Sequence, residues 1–79
     1  MTTRAFILIE TAVGKTKEVV AALQKLEGVA SADPVTGPYD IVAIAEAPEL
    51  NAIGDLVTSK MHTIPGITRT VSCLVTQLR

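Results

Sequence analysis

Thr36-Gly37-Pro38-Tyr39-Asp40 runs directly into Ile41-Val42-Ala43-Ile44-Ala45, and the architecture follows from that junction. The Gly-Pro pair forces the chain to reverse. The five residues after Asp40 are apolar without alternation. A strand with one wet face alternates apolar and polar residues, so this one is covered on both faces. The preceding turn holds the only tyrosine of the chain, a glycine and a carboxylate. Polar groups at the mouth of a buried strand are where a small polar ligand is held.

Reading outward, the chain is two similar halves. Leu26-Glu27-Gly28-Val29 returns as Ile64-Pro65-Gly66-Ile67, 38 residues later, and the same displacement carries Val19 onto Val57, Leu23 onto Met61 and Phe6 onto Ile44. Each half reads strand, helix, strand. The first strand covers Arg4 to Glu10, rich in β-branched and aromatic residues. After Gly14, Val19, Val20, Leu23 and Leu26 make the stripe of an amphipathic helix from Lys15 to Glu27, with Gly28 at the C-terminal cap. A second strand runs from Val29 to Val35, and Pro34 assigns it to a sheet edge. Asp40 to Ala47 is the third.

Pro48 suits the first position of a second helix, whose apolar face is Leu50, Ile53, Leu56, Val57, Met61 and Ile64. Pro65-Gly66 ends it. The last strand spans Ile67 to Gln77, with Val71, Cys73 and Val75 on one side and Thr70, Ser72, Leu74 and Thr76 on the other.

The order βαββαβ in 79 residues predicts one domain with a ferredoxin-like α+β fold. Its four-stranded antiparallel sheet carries both helices on one face, the building unit of dimeric α/β barrels. The first and third strands lie in the middle. Both are continuously apolar, and no sequence is left to cover their second face. A second copy of the chain is then the expected cover. Burying about 500 Å² of apolar sheet per chain contributes on the order of 10 kcal/mol before association entropy is subtracted. That matches the whole stability of a domain this size.

Composition excludes several classes. Hydrophobic residues make up 48% and charged ones 19%, with a net charge of −1 and only Phe6 and Tyr39 aromatic. Direct nucleic-acid binding, which needs a basic groove and stacking platforms, is not expected. No run approaches the roughly 20 apolar residues of a membrane helix, and no signal-peptide layout opens the chain. A single cysteine, Cys73, suits a reducing cytoplasm and is read as a small buried hydrophobe.

For each candidate residue two readings stand. Asp40 shapes the hairpin by bonding nearby backbone N–H groups, or faces a bound cation such as an amino group. Gly37 supplies a positive φ or a close approach to ligand. The N–H groups of Gly37 and Tyr39 suit a carboxylate, while Pro38 sets the shape of the loop. Tyr39 is an interface or pocket wall. Thr70 and Ser72 are either ordinary strand residues on a half-wet face or ligand donors at a subunit contact. His62, the lone histidine, sits near a helix C-terminus, where the dipole favours a cation. Neither a metal-ligand set nor a paired nucleophile and base is present in the sequence, and no cofactor is expected.

From Val29 onward the chain resembles the ligand-binding (RAM) domain of Lrp/AsnC-type regulators. The resemblance rests on Gly28-Val29, the loop Thr36-Gly37-Pro38-Tyr39-Asp40, the break Ile64-Pro65-Gly66-Ile67 and Thr70-x-Ser72. It implies a ferredoxin-like fold, face-to-face dimers, rings that are usually octamers, and an amino acid or related effector at dimer–dimer contacts. Gly37, Pro38, Tyr39, Asp40, Thr70 and Ser72 are the implied ligand contacts. The chain begins at the first sensor strand, so it resembles the stand-alone form without a helix-turn-helix. That form is expected to work through its own rings or through full-length relatives. It also has Ala47-Pro48-Glu49 where many relatives carry an aspartate, which bears on the effector. Two other readings share the topology: a cofactor-free dimeric α/β-barrel enzyme, and an ACT-type regulatory module.

Overall fold

In the computed structural model, which describes residues 2–76, the chain forms β1 (Thr3–Thr11), α1 (Thr16–Gln24), β2 (Val29–Pro34), β3 (Ile41–Ala47), α2 (Leu50–Asp55) and β4 (Ile67–Leu74). The strands make one antiparallel sheet in the order β2-β3-β1-β4. The fold is the ferredoxin-like α+β unit read from the sequence, with the first and third strands in the middle and Pro34 on an edge strand.

The sheet divides the side chains by register. Ala5, Ile7 and Ile9 stand opposite Ala45, Ala43 and Ile41, and all six are fully buried. They form the core with Val19 and Leu23 of α1, Ile53 of α2, and Leu56, Val57 and Met61 beyond it. No polar residue is buried among the described residues. Phe6, Leu8, Val42 and Ile44 point the other way, opposite one another in the β1–β3 ladder. Val71 and Cys73 continue that face on β4, opposite Leu8 and Phe6. Neither helix lies on this side, so Phe6 remains 38% exposed. Cys73 is exposed as well, which corrects its reading as a buried residue: the register turns it to the side without helices.

The helices differ from expectation at their ends. α1 is capped by Lys15 and Lys25, three residues before Gly28. The chain leaves it through tight turns in which Leu26 N–H donates to Leu23 O and Val29 N–H to Leu26 O. Pro48 is not the first residue of α2. It lies in a bend before the extended N-cap Glu49.

The second helical segment then changes pitch. α2 runs without interruption into a π-helical turn, Leu56–Met61, with His62 N–H donating to Val57 O at 3.1 Å. Leu56 and Met61, five residues apart, would diverge by about 140° on an α-helix. The wider turn lets both be buried. β4 ends at Leu74 among the described residues. The expected extension to Gln77 lies partly outside them.

Candidate functional site

The 36–40 loop is tied down at its base. Val35 N–H donates to Asp40 O at 2.9 Å and Asp40 N–H to Ile9 O at 2.9 Å. The Asp40 carboxylate accepts the Thr11 N–H at 2.8 Å through Oδ2. Beside it, the hydroxyls of Thr11 and Thr16 bond at 2.7 Å. Asp40 thus shapes the turn, though its partner lies on another strand rather than within the turn. Gly37 takes φ +152°, and a Cβ there would meet nothing within 4 Å. The loop needs the positive φ, while a side chain there would point into open space among the described residues. Gly37 and Pro38 are exposed and Tyr39 half-buried.

Thr70 and Ser72 share the helix-side face of β4, opposite Ile9 and Ile7. Ile41 also stands opposite Ile9, on the other side of β1, so loop and hydroxyl strand are separated by two strand spacings, about 10 Å. One subunit does not bring the two sets together. Thr70 bonds His62 Nε2 at 3.1 Å, a pairing absent from the sequence reading.

β4 pairs with β1, but neither helix packs across it as α2 packs across β1 and β3. An open groove of about 710 Å³ remains between α2 and β4. Leu50 and Ile53 of α2, Val57 of the π turn and Leu74 of β4 give it apolar walls. Asn51, Asp55, Thr58 and Ser72 supply polar groups. The Thr58 hydroxyl donates to Gly54 O at 2.9 Å, which leaves its oxygen as an acceptor. Gly54 also lines the groove, and a Cβ built there meets nothing within 4 Å. Except for Ser72, none of these residues was read from the sequence as a candidate ligand contact. The available signal was Gly54, a glycine inside an apolar helical pattern, where it costs about 1 kcal/mol relative to alanine.

A second hollow of about 530 Å³ lies at the β3–α2 junction, lined among others by Glu27, Glu46, Pro48, Asp55 and Lys60. Its Glu46 is engaged by Arg4 at 3.2 Å. No group of three or more His, Cys, Asp or Glu among the described residues is placed to hold a metal. No helix there is long and apolar enough to cross a membrane.

The fold is ferredoxin-like, with β4 packed across by neither helix. The chain belongs to the family of Lrp/AsnC ligand-binding domains, whose model matches residues 4–78. Among solved structures it is similar to a protein of Thermus thermophilus, at 32% identity over 100% of this chain and 98% of that one, with a TM-score of 0.91. It is similar to Escherichia coli AsnC at 26% identity, covering 96% of this chain and 52% of that one, with a TM-score of 0.89. A transcriptional regulator of Neisseria meningitidis, solved as a complex with L-Met, shares its fold at 23% identity, 95% and 50% coverage and a TM-score of 0.85. The chain thus spans about half the length of each of these two regulators. No curated protein matches the chain.

Proposed function

We propose that the chain is an effector-sensing module that self-associates and binds an amino acid at its subunit contacts. The observation that carries this is β4: neither helix packs across it as α2 packs across β1 and β3, and its Ser72 lines a roomy groove beside α2. A strand this bare in a sensor-family domain is completed by ligand or by another subunit.

The outer sheet face supports the assembly half of the reading. Its apolar centre is Phe6, Leu8, Val42, Ile44, Val71 and Cys73. An Arg4–Glu46 ion pair at 3.2 Å closes one end and an Arg69–Glu10 pair at 3.8 Å the other. Apolar centre and charged rim are the anatomy of a protein interface. Two such faces form an isologous dimer. Dimers joined through their β4 sides make a closed assembly in which the 36–40 loop of one subunit approaches the hydroxyl strand of another. Gly37, Pro38, Tyr39, Asp40, Thr70 and Ser72 then contribute to one site from different subunits. Signal passes through the assembly, alone or shared with DNA-binding relatives.

The fold-mate solved with L-Met supports an amino acid as effector. Native mass spectrometry with a mixture of the twenty amino acids tests the reading. One amino acid held by a dimer or larger ring is the expected result. A protein that retains none at millimolar concentration overturns it.

A further inference from the structure

We propose that His62 is a positioning residue: its bond to Thr70 clasps β4 to the helical segment and sets the width of the groove between them. The consequence for a ligand rests on the effector-sensing reading above, whereas the clasp itself is a property of the free chain.

Little else holds β4 on its helix side. It is an edge strand with β1 as its one neighbour in the sheet, and neither helix packs across it. Of the side-chain hydrogen bonds among the described residues, His62 Nε2 to Thr70 Oγ1 at 3.1 Å alone joins it to the helical segment. Thr70 precedes Ser72 on the same face of the strand, so the bond crosses just beyond the Thr58 and Ser72 walls of the groove. A threonine hydroxyl both donates and accepts. The histidine engages one of those capacities and fixes the direction of the other.

The change of helical pitch is what aims His62. On an unbroken α-helix Lys60 would point within about 20° of Ile53, into the core, and His62 about 180° from it, into solvent. The π turn, closed by His62 N–H donating to Val57 O at 3.1 Å, delays each position by about one residue. Met61 then takes the inward place and is fully buried, while Lys60 is exposed. His62 comes round to the flank of Gly54 and Thr58, which line the groove. One backbone irregularity thus seats Met61 and closes the clasp, in keeping with the frequency of such turns at functional sites.

A single surface hydrogen bond is weak enough to open. On the order of a tenth of molecules stand unclasped, with β4 held by β1 alone. A ligand that spans the clasped groove draws the population toward that state.

Hydrogen exchange on the full chain tests the clasp, and native mass spectrometry with a mixture of the twenty amino acids tests its consequence. Thr70→Val and His62→Ala should each speed exchange of the β4 amides about three- to tenfold, the fold-change that one net hydrogen bond is worth. His62→Gln, which keeps a nitrogen donor at similar reach, should restore most of the protection. The amino acid retained by the wild type should be held severalfold more weakly by Thr70→Val and His62→Ala and recovered by His62→Gln. Unchanged β4 exchange in the two folded variants overturns the clasp. Equal exchange in His62→Gln and His62→Ala overturns the hydrogen bond as its cause. Faster exchange with unchanged ligand retention overturns the positioning role. A wild type that retains no amino acid overturns the sensing reading, while the exchange rates still decide the clasp.

Discussion

The Asp40 carboxylate accepts the backbone N–H of Thr11 at 2.8 Å, across 29 residues of sequence. It fastens the 36–40 turn to the end of β1. Any ligand role of the loop works through this fastening, because one oxygen of the carboxylate is already engaged. Asp40→Ala leaves the half-buried N–H without its acceptor, and a hydrogen bond to a charged group is worth about 1.5–3 kcal/mol. The denaturant midpoint should fall accordingly. Asp40→Asn, which retains an oxygen, should restore part of it. A midpoint identical to wild type for Asp40→Ala would show that the contact contributes nothing and free the carboxylate for a ligand.

Among the glycines, Gly66 is the least tolerant of a side chain. It takes φ +102°, and an added Cβ would lie 3.0 Å from both Lys15 Cβ and Val19 Cγ2. Its carbonyl also accepts Ala12 N–H at 2.8 Å. Gly66→Ala combines backbone strain with a clash against a buried valine, at a cost of about 2–3 kcal/mol. For a domain of this size the thermal midpoint should drop by about 10 °C or more. Circular dichroism at fixed protein concentration measures it, and a drop under 2 °C (about a few tenths of a kcal/mol) would refute the strain.

Ile44 and Phe6 stand opposite each other at the centre of the outer sheet face. Ile44→Lys would bury an unpaired ammonium in any face-to-face dimer, weakening association by about a hundredfold or more. Sedimentation should show the wild type as a dimer or larger and the variant shifted toward smaller species. Asp33, on the same face of the edge strand opposite Val42, provides a control, since Asp33→Ala should leave the assembly intact. A monomeric wild type would remove the sheet pairing altogether.

The pseudo-repeat shows how much of the architecture was legible. The 38-residue displacement pairs Val19 with Val57 and Leu23 with Met61, and all four are buried. It also relates Phe6 to Ile44, which turn out to be register partners. Gly28 and Gly66 take matching φ values of +97° and +102°. The βαββαβ order correctly placed β1 and β3 mid-sheet, and both are the continuous apolar runs of the sequence. These features follow from local periodicity and from the burial each element demands, which are properties of the chain itself.

The site was legible only in pieces. Ser72 was named as a candidate, but the groove it lines was not foreseen, because its walls come from segments about 20 residues apart. Thr70 was named as a candidate without its hydrogen-bond partner His62. The π turn escaped because Leu56, Val57 and Met61 fit an α-helical stripe closely enough to hide the change of pitch. Cys73 was misread because apolar character alone does not say which face of a sheet the helices cover.

By itself the sequence determined the order of elements, the middle strands, the glycine turns and the apolar character of the outer sheet face. Each is set by hydrophobic period or by the backbone freedom of single residues. Tertiary structure decided where Asp40 spends its carboxylate, that β4 is left uncovered, and that Gly54 opens onto empty space. Those depend on which surfaces meet after the chain has folded, and no local pattern encodes a space that packing leaves unfilled.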